Sequence, residues 1–126
     1  MAVPKTSLSA GETIRSLLME NPEVASRVNK IFPVAADSAE LPYIVYRRAS
    51  MAGTPQKSGQ PCADTVQVEV LCYTGRYAEG IELAEAVRAT LDHTRGAGIR
   101  SCVLSESEEA YESDAFVQQL VFDVRM

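Results

Sequence analysis

Between residues 64 and 73 the chain alternates: Val66, Val68, Val70 and Cys72 are apolar, and Thr65, Gln67 and Glu69 between them are polar. Successive side chains of a strand point to opposite faces, so this pattern sets an apolar row on one face and a polar row on the other. It demands a sheet covered on one side only. Everything else in the fold has to supply that strand with neighbours and with a cover.

Three further segments read as strands. Pro42 opens one over residues 43–48, where Ile44 and Tyr46 point one way and Tyr43 and Val45 the other. The others span 98 to about 107 and 115–125, the last with Phe116, Leu120, Phe122 and Val124 on one face. Residues 30–33 read as a brief extended piece.

Two helices provide the cover. The first begins at a capping box formed by Ser9 and Glu12, presents Ile14, Leu17 and Leu18 on one face, and ends at Asn21-Pro22. Residues 23–28 fit one more short turn. The second main helix runs from about residue 76 to 93, with Tyr77, Ile81, Ala84, Val87, Arg88 and Leu91 near one stripe; Gly96 and Gly98 stop it. The sequence thus predicts an α+β fold, a mainly antiparallel sheet of about four strands with two helices packed on one face. Val66, Val68, Val70, Phe116, Leu120 and Phe122 face those helices.

The length of 126 residues suits a single domain, 1–126, large enough to bury a core without a metal or disulfide staple. No apolar run is long enough to cross a bilayer, and the first residues lack the pattern of a signal peptide, so a soluble cytoplasmic chain is expected, without membrane contact. Cys62, Cys72 and Cys102 are widely spaced, without a CxxC pair, and match neither a disulfide framework nor a zinc site.

Charge is uneven. Residues 1–50 carry six basic and five acidic side chains, whereas residues 51–126 carry six basic and twelve acidic. An anionic surface does not neutralise phosphates, which argues against specific nucleic-acid binding. Solubility is its plainest use.

Candidate chemistry is sparse. His93, the only histidine, has no surrounding motif and sits where a cationic ring would meet the negative end of the second helix. Cys72 shares the valine face and reads, like Cys102, as a small buried hydrophobe. The acidic stretch Glu108, Glu109, Glu112 and Asp114 around Tyr111 lacks the spacing of a calcium loop and reads as a hairpin tip. The glycines form no phosphate-binding fingerprint, and Tyr43, Tyr46, Tyr73 and Tyr77 have too few basic neighbours to stack on nucleic acid. No catalytic set, metal site or cofactor is expected.

Residues 49–63 differ in kind: two glycines and two prolines among small and polar residues, with no periodicity and Met51 as the one large apolar side chain. They read as a long exposed loop, of the sort that is functional or disordered.

In order, four stretches resemble one family: the helix ending in Asn21-Pro22-Glu23-Val24; the segment from Arg27 closing on Ile31-Phe32-Pro33; Leu41-Pro42-Tyr43-Ile44-Val45-Tyr46; and Val66-Gln67-Val68-Glu69-Val70, followed by Tyr73, Thr74, Tyr77 and a helix with Ala84, Val87, Arg88 and Leu91. Together they are similar to the tail-completion, or tail-to-head joining, proteins of long-tailed phages and prophages, which are terminator-like. The resemblance implies a structural role, not an enzyme: a homo-oligomeric ring, commonly of six, that caps the head-proximal end of the tail tube and docks to the head connector. Tail tube protein and connector are then the partners, DNA passes through without specific binding, and the protein moves from host cytoplasm to virion tail.

In such a ring Glu108, Glu109 and Glu112 are expected to face the channel, where they would repel DNA. Met51 would anchor an assembly contact with Lys57 and Gln60 at its rim, the loop ordering on binding. Two alternatives stay open. One is a ligand-binding or regulatory α+β domain with a pocket between sheet and helices; the other is a minor connector or baseplate component of the same virion.

Overall fold

The alternating segment is strand β3, and it lies at the centre of the sheet. The computed structural model describes residues 6–37, 40–52 and 64–126. A 3-10 turn, Ser7–Ser9, leads into α1 (Ala10–Glu20), α2 (Pro22–Ala25), β1 (Lys30–Pro33), β2 (Tyr43–Ala52), β3 (Thr65–Thr74), α3 (Tyr77–Leu91), β4 (Ser101–Glu112) and β5 (Ala115–Arg125). The sheet order is β1-β2-β3-β5-β4. Val68 stands between Arg48 of β2 and Phe122 of β5.

The expected α+β class holds, but the sheet has five strands and is mixed. The brief extended piece is a full edge strand, β1, and it runs parallel to β2 with Ile31 beside Ile44. Four residues are too few to display an alternation, so the chain's pattern revealed an extended piece and not its pairing.

Val66, Val68, Val70 and Cys72 are wholly buried with Ile44, Phe122 and Val124, and the helices cover them with Ile14, Leu18, Leu83, Val87 and Leu91. Burying each large side chain stabilises the fold by about 1.5–3 kcal/mol. Phe116 and Leu120 share this face, as predicted; Phe116 is only half buried, near the sheet's end.

Several local expectations are corrected. Ser9 makes no side-chain cap; Thr6 Oγ1 accepts instead from the Leu8 amide, at the start of the 3-10 turn. The chain therefore enters helical geometry earlier than the capping box suggested.

On α3 the buried row is Gly80, Leu83, Val87 and Leu91, while Tyr77, Ile81 and Arg88 are exposed. The stripe is displaced because Gly80 lets the helix press close to the sheet: a Cβ there would lie 2.9 Å from Thr74 Oγ1. The helix also stops at Leu91, before the glycines, with Asp92 as its C-cap and His93 at φ 65°. His93 hence lies past the last turn, and its amide donates to the Cys102 carbonyl (2.6 Å).

Candidate assembly surface

Helices α1, α2 and α3 all lie on the Val68 face, and among the described residues no helix covers the opposite face of the sheet. That face carries Val45, Val117 and Val121, all three buried. Tyr43 stacks on Tyr73 with ring centres 4.7 Å apart, Phe32 meets Tyr43 edge-on, and Lys30 Nζ sits 5.0 Å from the Phe32 ring centre. Arg47 Nε donates to Glu69 Oε2 across β2–β3 at 2.6 Å. The hydrogen bond to Glu69 and the charge of its carboxylate raise the Arg47 pKa.

The acidic stretch is strand, not hairpin tip. β4 continues to Glu112, and the turn is the pair Ser113 and Asp114, at φ 50° and 61°. Two left-handed residues in a two-residue loop make the tight turn that suits the twist of a hairpin. Sequence reasoning stopped β4 short because glutamates are poor strand formers and residues 105–112 are exposed on both faces, so no alternation marks them. A bulge at Ser105, between Leu104 and Glu106, also shifts the register.

Register assigns each acid a face. Glu106 lies opposite Val121, Glu108 opposite Gln119 and Glu112 opposite Ala115, all on the helix-free side. Glu109 lies opposite Gln118 on the helix side, where its Oε2 accepts from Tyr77 Oη (2.8 Å) and Gln118 Nε2 (2.9 Å). The three predicted channel residues are thus not one surface: Glu108 and Glu112 share a face and Glu109 does not. The bond from Gln118, then that from Tyr77, holds the Glu109 carboxyl below its usual pKa; the same contact raises the Tyr77 phenol.

The predicted assembly loop is shorter than expected at its start. Residues 49–52 continue β2 past a bulge at Ala49, and Met51 pairs with Val66 while remaining 40% exposed. Pairing with β3 overrides their weak strand pattern. Lys57 and Gln60 lie outside the described residues, as does Cys62.

Among the described residues the grooves are open to the surface, one of them lined by Thr74 of β3 with Glu79 and Glu82 of α3. One groove of about 590 Å³ runs along α3 and is lined by Asn21, Arg27, Ile81, Glu82, Ala86 and Ala89 among others. Cys72 and Cys102 are buried, and burial pushes both thiols up to about 12, which keeps them protonated. Among the described residues no group of three acidic, histidine or cysteine side chains could hold a metal. No helix in the described residues is long and apolar enough to cross a membrane.

Comparison with known proteins agrees with a surface-working role. Residues 12–126 match the family described as tail completion protein gp17. No curated protein matches the chain in sequence. Among solved structures, a chain of the "Virion of native gene transfer agent (GTA) particle" superposes with a TM-score of 0.75 at 16% identity, covering 96% of this chain and 98% of that one. At that identity the likeness is one of fold.

Proposed function

The chain belongs to the tail completion protein gp17 family, and on that footing we propose that it closes the head-proximal end of a phage-type tail tube as a ring and joins it to the head connector. It is a structural tail protein and not an enzyme. The observation that carries the reading is the extent of the match, which takes in every described helix and strand except the 3-10 turn and the first two residues of α1. A sheet with one helix-free face suits a ring subunit, since helices can occupy the outside while the sheet borders the channel.

On that face Glu69, Glu106, Glu108, Glu112 and Asp123 outnumber Lys30, Arg47 and Arg125. An anionic wall repels the phosphate backbone and lets DNA pass without adhering. Met51 offers an apolar contact at the end of β2, next to the segment that carries Lys57 and Gln60, for the tube or the connector.

The test is a particle preparation made without this protein. Expected are full heads and separate tails, with joining restored when purified protein is added and the label found at the head-proximal tail end. Normally joined particles in its absence would overturn the reading. A defect at the distal end would instead assign it to the baseplate.

A further inference from the structure

Where β4 and β5 meet the start of α3, three aromatic rings cluster, and one of them, Tyr77, bonds the Glu109 carboxylate. Tyr111 meets Phe116 edge-on with centres 4.9 Å apart, and Tyr77 meets the same ring at 6.0 Å. Tyr77 and Tyr111 are 48% and 60% exposed. Glu109 Oε2 takes both hydrogen bonds from Tyr77 and Gln118, which leaves Oε1 without a partner among the described residues. A preorganised carboxylate oxygen beside aromatic faces is what a guanidinium binds: one charge-assisted bond plus stacking of its plane on a ring.

Matching groups stand at the other end of the same hairpin. Arg95 and Arg100 are exposed on the turn between α3 and β4, which the Gly96–Ile99 bridge closes, and Arg125 is beside them, its carbonyl accepting from the Arg100 amide at 2.7 Å. None of the three has an ion pair or side-chain hydrogen bond among the described residues. About nine strand residues separate Arg100 from Glu109, roughly 30 Å. That is several times the ~8 Å screening length at physiological salt, so the two ends cannot neutralise each other within one molecule.

We propose that the corner formed by Tyr77, Glu109, Tyr111 and Phe116 is an arginine receptor, and that its occupant is Arg95 or Arg100 of a second copy of this chain. Donor and acceptor surfaces differ, so the contact is heterologous and propagates from copy to copy, closing into a ring where the rotation allows. The inference rests on the ring reading and supplies its subunit contact.

Charge swaps test it. One variant carries Arg95→Glu and Arg100→Glu; the other carries Glu109→Arg. All three positions are exposed, and cooperative melting of each monomer checks that it folds. Assembly of the full chain is followed by sedimentation alone and by native mass spectrometry on tail tubes made without it. Each variant alone should need about tenfold or more higher concentration to assemble than the parent. Mixed, they should recover assembly with alternating subunits, because each then meets a complementary partner. Variants that assemble as the parent does, or a mixture no better than its components, would overturn the receptor while leaving the ring reading intact. So would loss of tail joining with self-assembly unchanged, which would make the occupant another tail protein. A parent that stays monomeric even on tail ends would remove both.

Discussion

Asp92 shows how much of this fold hangs on single side chains that carry no obvious motif. Its Oδ1 accepts from the Leu104 amide at 2.9 Å and its Oδ2 from Arg88 Nε at 3.3 Å, so one carboxylate ties the end of α3 to the free edge of β4. The bond from Leu104, then that from Arg88, lowers its pKa against the opposing effect of burial. A depressed carboxyl contributes stability that is present at neutral pH and lost as pH falls through the lowered value, beneath the ordinary range near 4. Asp92→Ala should cost about 1–2 kcal/mol at pH 7, since it strands the Leu104 donor. Denaturant melts at neutral and acid pH give the check: the parent should lose more stability on acidification than the variant, and equal losses would remove this role. In the sequence Asp92 was one acid among many, because its meaning depends on a strand twelve residues away.

At the scale of elements, the approach of α3 to the sheet is set by Gly80. Alanine in a helix interior is favoured over glycine by about 1 kcal/mol, so Gly80→Ala would stabilise a free helix. Here the added methyl meets Thr74 Oγ1, which is buried and held by its bond to the Arg76 carbonyl at 2.8 Å. Thr74 cannot give way without stranding that hydroxyl. Overpacking should therefore win, and Gly80→Ala is expected to lower stability by about 1–3 kcal/mol. A double-mutant cycle with Thr74→Ala checks the cause, because removing the hydroxyl should recover part of the loss; additive effects would mean that the methyl is disruptive for another reason. The stripe predicted for α3 ran through Tyr77 and Ile81 because those side chains are large and apolar. The structure buries the small residue between them instead.

For the whole molecule, the decisive feature is the division of the sheet into a helix-covered face and a free face bordered by acidic β4. If the free face lines a channel, changing Glu106, Glu108 and Glu112 together to Lys should leave head–tail joining intact and slow DNA release roughly tenfold, since the wall would attract phosphate. Release kinetics from joined particles decide it. Parent-like release would leave these acids a solubilising role only. Glu109 serves as an internal control, since it lies on the other face and Glu109→Lys should disturb assembly before it affects DNA.

The alternation of Val66, Val68 and Val70 by itself determined that the chain holds a one-sided sheet, and Phe116 to Val124 by themselves identified a further strand with one apolar face. Such patterns are local consequences of burial: each side chain reports its own face. Strand order, the parallel pairing of Lys30–Pro33, and the strand character of residues 49–52 and 105–112 were decided only by tertiary structure. Residues 49–51 and 105–112 are exposed and Lys30–Pro33 is too short to alternate, so their hydrogen-bonding neighbours impose a conformation that their own side chains do not signal. The arginine corner is likewise tertiary, because Tyr77, Glu109 and Phe116 come from three elements whose meeting depends on how closely α3 can approach the sheet.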